Sequence, residues 1–143
     1  MRISTKGRYS LEALLFIALQ PAGIFVSTKT INENTGVSEG YLEQLFILMR
    51  KAGLVTSVRG PQGGYVPGRP LSEIGVSDVL RSVEGSLSPV DCVDPKVCPV
   101  AKDCISRHTW TDLYAAIVSC VEAISLQDLV DAYHAMDKMD YTL

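Results

Sequence analysis

Between residues 38 and 67 the period of the apolar side chains changes once, and that change limits the possible folds more than any other feature. Leu42, Leu45, Phe46 and Met49 recur at i, i+3, i+4 and i+7, one face of a helix. Ser38 precedes the run as an N-cap residue. Arg50 and Lys51 fall in its last turn, where cations complement the helix dipole, and Gly53 stops it. This pattern predicts a helix over 39–52. Leu54 to Arg59 then read as a strand rich in β-branched residues. Gly60-Pro61-Gln62-Gly63-Gly64 is a turn, and Tyr65, Val66 and Pro67 return as a short strand, with Pro67 favouring a sheet edge. Upstream, Ser27 caps a second helix over 28–34, and Gly36 suits the left-handed position past its end. A first helix over 6–20 carries Leu11, Leu14, Leu15 and Ala18 on one face and ends at Pro21-Ala22-Gly23. Two short helices joined by a Gly36 turn have the form of a helix-turn-helix. A hairpin directly after them makes a winged helix.

The chain has 143 residues, 47% of apolar and 20% of charged type, which fits one globular domain and excludes a disordered or collagen-like chain. Four cysteines are too few for a disulfide scaffold. The longest apolar run, residues 13–19, falls far short of the ~20 residues that span a bilayer. Arg2, Lys6 and Arg8 ahead of it imitate a signal peptide, but Glu12 interrupts the pattern and no small-x-small site follows Gln20. The expectation is a cytoplasmic protein without a membrane segment, whose reduced thiols are candidates for metal binding or redox chemistry.

The net charge of −3 conceals two halves of opposite sign. Residues 1–69 hold eight Lys/Arg against four Glu, and residues 70–143 hold five Lys/Arg against 12 Asp/Glu. A basic front half facing a polyanion fits a winged helix that reads double-stranded DNA. On the third helix Gln44 can pair bidentately with adenine, and Glu43 can accept from cytosine N4. Tyr41 shares their solvent face, as do Ile47 and Lys51. The Ser38 hydroxyl and the helix N-terminal amides suit a phosphate oxygen, and Gly40 permits close backbone approach. Arg59 at the wing can enter the minor groove or hold phosphate, while Arg2, Lys6 and Arg8 add attraction to the backbone.

The rear half divides into three segments. Val76, Val79, Leu80 and Val83 predict a short helix capped by Ser77 and ended by Gly85. Residues 87–102 carry Pro89, Pro95 and Pro99 and follow neither period, so a long loop is expected. A long helix over 105–124 presents Trp110, Leu113, Ile117, Cys120 and Ile124 at alternating spacings of 3 and 4, a coiled-coil seam through which two copies would pair. Cys120 on that seam reads as a small buried hydrophobe. Ser125-Leu126-Gln127-Asp128 is a capping box for a last helix, with the tail from Asp137 expected to fray. The expected fold is mainly α with a small β-hairpin wing. It comprises a winged helix-turn-helix domain at 1–69, a connecting helix and cysteine loop at 70–104, and a dimerisation helix with a C-terminal helix at 105–143.

Cys92, Cys98 and Cys104 recur every six residues across the loop, and His108 follows four residues after the last. If a helix has begun by Cys104, the two share one face. Three thiolates and an imidazole form a soft, four-coordinate set suited to zinc or to an iron–sulfur cluster. The absence of a Cys-x-x-Cys knuckle counts against structural zinc, and a metal-free thiol switch stays open beside both. No Cys-x-x-Cys redox pair or carboxylate–histidine constellation marks an oxidoreductase or hydrolase, so an enzyme is not expected. An interaction module docking through the acidic half ranks below a DNA reader.

The starting run Met1 to Tyr9, the stretch Gly40-Tyr41-Leu42-Glu43-Gln44-Leu45-Phe46, the wing Arg59-Gly60-Pro61-Gln62-Gly63-Gly64-Tyr65 and the three spaced cysteines together resemble the IscR-type iron–sulfur cluster regulators, over all but the last ten or so residues. The resemblance implies a bacterial, homodimeric transcription factor, mainly a repressor, on palindromic operators. It implies a 2Fe–2S cluster on Cys92, Cys98, Cys104 and a histidine, supplied by the assembly machinery whose genes such regulators control. It also implies roles for Glu43 and Arg59 in operator recognition, Glu43 in choosing between operator types. The family histidine stands three residues after the last cysteine, a position held here by Arg107, with His108 next to it. Related nitric-oxide sensors take a carboxylate ligand near the N-terminus, where this chain has Arg8.

Overall fold

The computed structural model describes residues 3–93 and 104–140. Its elements run α1 (Thr5–Ala18), α2 (Thr28–Thr35), α3 (Glu39–Lys51), β1 (Val55–Val58), β2 (Gly64–Pro67), α4 (Val76–Glu84), α5 (Arg107–Glu122) and α6 (Leu126–Asp140). One 3-10 turn, Leu71–Glu73, leads into α4, and another, Asp91–Val93, follows it. The architecture is the winged helix expected from the sequence, with the long α5 behind it.

Local chemistry sets most of these boundaries. The Ser27 and Ser38 hydroxyls accept from the backbone N–H groups of Thr30 and Tyr41 and so cap α2 and α3. At the other end of α3, Gly53 takes φ 74°. Its N–H reaches the Arg50 carbonyl and the Leu54 N–H reaches that of Met49 at 3.0 Å. This Schellman motif satisfies the orphan carbonyls of α3 and turns the chain straight into β1. Ser125 and Asp128 cap α6 reciprocally: the Ser125 N–H donates to the Asp128 carboxylate at 2.9 Å, and the Asp128 N–H to the Ser125 hydroxyl at 3.1 Å.

Three details depart from the sequence expectation. Ser77 is not the cap of α4. Gly75 holds that position and donates its N–H to the Asp78 carboxylate at 2.9 Å, while Ser77 is buried inside the helix. Helix α6 continues through Asp137 to Asp140 instead of fraying. Cys120 is exposed in the single chain, because the seam of α5 turns partly away from the chain's own core.

The core joins front and rear halves. Leu14, Ile17, Ile31, Leu42, Phe46 and Met49 of the first three helices pack with Ile74, Val79, Val83 and Leu126. Small Gly7 and Ser10 lie on the buried face of α1, and α4 packs there. Glu84, at the end of α4, accepts from the backbone N–H groups of Ser4 at 3.0 Å and Gly7 at 3.2 Å, and from the Ser4 hydroxyl. The carboxylate thereby supplies a cap to the positive end of α1 from across the fold. A second small cluster, Val76, Leu80 and Leu87, receives Tyr114, Val121 and Ile124 and seats α5 on α4.

Candidate nucleic-acid interface and cysteine segment

The wing is held at a fixed distance from α3. In the hairpin Val55 faces Pro67 and Val58 faces Gly64, antiparallel. Tyr65 also exchanges both backbone hydrogen bonds with Val26, at 2.8 and 2.9 Å. Its ring stacks on Phe46, centroids 4.0 Å apart and planes 11° from parallel. Gly64 lies so close to this bridge that a Cβ there would sit 2.4 Å from the Val26 carbonyl. Backbone pairing and an aromatic stack thus anchor the hairpin to the helix-turn-helix.

Between α3 and the wing lies an open groove of about 390 Å³, bordered by Glu43, Ile47 and Arg50 from α3 and by Ser57, Val58 and Arg59 from the hairpin. The Arg50 guanidinium donates to the Ser57 hydroxyl at 3.3 Å and bridges the two sides. Glu43, Gln44 and Arg59 are exposed, as are Ser38 and Gly40 at the start of α3 and Lys6 on α1. A side chain at Gly40 would meet open space, so the backbone is accessible there. Tyr41 is half-buried, edge-on to Tyr9 at 6.1 Å between centroids, so part of its ring joins α3 to α1. Arg2 lies outside the described residues. In the sequence Arg50 reads only as a last-turn cation that complements the helix dipole. Its place in the groove follows from standing seven residues, two turns, beyond Glu43 on the same face.

The cysteine candidates are partly covered. Cys98 lies outside the described residues, and of Cys92 only the backbone is described, in the 3-10 turn that packs against α5. Cys104 precedes α5, which begins at Arg107, so Cys104 and His108 are not one helical turn apart on a shared face. Instead the Arg107 N–H closes a turn on the Cys104 carbonyl at 3.2 Å. Hydrogen bonding from the Ser106 hydroxyl and backbone, helped by Arg107, lowers the Cys104 thiol below its ordinary pKa. A thiol tipped toward thiolate at an exposed turn is a fitting soft-metal ligand. His108 stands exposed in the first turn of α5. Among the described residues no group of three or more His, Cys, Asp or Glu converges on a metal position, and no helix is long and apolar enough to cross a membrane.

A helix-turn-helix with an anchored wing and an exposed groove between them defines the winged-helix class of regulators. The chain belongs to the Rrf2 family, described as iron-dependent transcriptional regulators, whose model matches residues 3–132. It is a family of regulators and not of enzymes. The chain is similar to the HTH-type transcriptional regulator IscR of Xenorhabdus nematophila, 40% identical over 140 residues, covering 98% of this chain and 85% of that one. Among solved structures it is similar to IscR of T. potens, with a TM-score of 0.76, 36% identity and coverage of 93% and 88%. It is also similar to CymR, the global cysteine regulator of B. subtilis, with a TM-score of 0.77, 36% identity and coverage of 92% and 98%.

Proposed function

We propose that this chain is an iron–sulfur-cluster-sensing transcriptional regulator, mainly a repressor, that acts in the cytoplasm. As a homodimer it binds palindromic operators of cluster-assembly genes. The observation that carries the DNA reading is the groove between α3 and the wing, where Glu43 and two guanidinium groups stand exposed. Gln44 and Glu43 address base edges in the major groove, Tyr41 and Gly40 stand at the contact, and Ser38 meets phosphate. Arg59 meets the minor groove or backbone, and Arg2 and Lys6 add backbone attraction. Residues 1–69 read DNA, 70–104 connect and ligate, and 105–143 pair the two copies.

Cys92, Cys98, Cys104 and His108 would hold a 2Fe–2S cluster received from the assembly machinery. Bound there, the cluster supplies a centre whose presence reports on iron and sulfide availability. The depressed Cys104 thiol and the packing of the Cys92 turn on α5 support this donor set. Anaerobic purification with iron and acid-labile sulfide analysis tests it, alongside Cys98→Ala and His108→Ala and operator binding by each form. Iron and sulfide in equal amounts, lost in Cys98→Ala, is the expected result. Stoichiometric zinc, or no metal with DNA affinity that follows thiol oxidation, would replace the cluster with a zinc site or a thiol switch.

A further inference from the structure

We infer that Ile47, with Val58 beside it, reads thymine through its C5-methyl group and so fixes where thymine must stand in the bound duplex. The inference rests on the DNA-reading assignment above and adds the base chemistry that the groove selects. Ile47 is 46% exposed and Val58 49% exposed, and both border the same groove, one from α3 and one from β1. Glu43, Arg50, Ser57 and Arg59 around them can all donate or accept hydrogen bonds, whereas a branched aliphatic side chain can do neither.

The fold itself makes little use of this pair. The buried face of α3 is already filled by Leu42, Leu45, Phe46 and Met49. Val58 pairs across the hairpin with Gly64, which has no side chain to cover it. Two β-branched hydrophobes therefore face water inside an otherwise polar groove.

Position along α3 assigns the contact. Ile47 follows Gln44 by three residues and Glu43 by four, on the same face. Three residues advance about 4.5 Å along the axis, a little more than one base step of about 3.4 Å. When Gln44 meets one base edge, Ile47 faces the next. The apolar group on the major-groove edge of unmodified DNA is the thymine methyl. Placing it against Ile47 withdraws both from water, and cytosine, which lacks the methyl, leaves the aliphatic surface exposed.

Duplexes bound by the full chain can be selected from random-sequence DNA, and each thymine then replaced by deoxyuridine, which pairs identically but lacks the methyl. Anisotropy titrations should find one or two positions where the replacement weakens wild-type binding about fourfold, the change for one buried methyl-sized group. At those positions Ile47→Ala should bind both versions equally while keeping its discrimination elsewhere. Val58→Ala tests the neighbour in the same way, and both side chains are exposed enough for the fold to survive their truncation. The inference is overturned if no position responds in the wild type, or if both variants keep the full response. Failure to select any duplex would overturn the DNA reading as well, whereas selected duplexes indifferent to the methyl overturn this inference alone.

Discussion

Single side chains line the groove between α3 and the wing and hold the fold behind it. Arg59→Ala removes an exposed guanidinium from the groove without touching the core. It should weaken operator binding about tenfold or more and lower its salt dependence, with an unchanged melting temperature, in titrations at two salt concentrations. Glu84→Ala should do the opposite. It strips the cap from α1 and leaves the Ser4 and Gly7 N–H groups without their acceptor. Thermal denaturation should show a loss of about 1–2 kcal/mol. The exposed place of Arg59 on the wing was legible in the sequence because a cation beside a Gly-Pro turn is a local signal. Glu84 was not, because its partners lie 77 and 80 residues away and no local spacing points to them. Cys104 and His108 illustrate another limit. Their four-residue separation carries meaning only inside a helix, and α5 starts between them.

Among the elements, α3 was the most legible, since its apolar period, its Ser38 cap and its Gly53 stop all agree. For α4 the apolar positions were right and the cap wrong. Gly75 has no side chain to advertise a start, and the capping carboxylate comes from Asp78 inside the helix. The wing depends on Gly64, and Gly64→Ala should push it off Val26. Operator affinity should then fall by an order of magnitude or more while far-ultraviolet circular dichroism keeps the helical signal. The start of α6 carries a pH dependence. The Ser125 N–H and hydroxyl hold the Asp128 carboxyl below its ordinary pKa. A lowered folded-state value stabilises fully above the ordinary aspartate range and is lost as pH falls through the lowered value. Amide protection at the α5–α6 junction, taken relative to the intrinsic exchange rate at each pH, should therefore fall on strong acidification, and Asp128→Asn should remove that acid-specific change.

At the scale of the molecule, α5 keeps Leu113 41% exposed and Cys120 exposed beside it, on a helix that buries no residue fully in the single chain. Pairing with a second copy would cover this face. Leu113→Asp should yield a monomer by light scattering and weaken binding to a palindromic duplex at least tenfold. The 3-4 repeat is visible in the sequence, but repetition could not tell which side rests on the chain's own α4. Tyr114, Val121 and Ile124 do so. One end of α5 is also pinned by backbone. The Val76 N–H meets the Ile124 carbonyl at 2.9 Å, and the Leu126 N–H meets that of Ile74 at 2.7 Å. That end of the helix is therefore held by backbone as well as by side chains. Over its length of about 24 Å, a tilt of about 5° about that point carries the opposite end roughly 2 Å. A tilt of that kind would displace Arg107 and the turn at Cys104 most and Ile124 least.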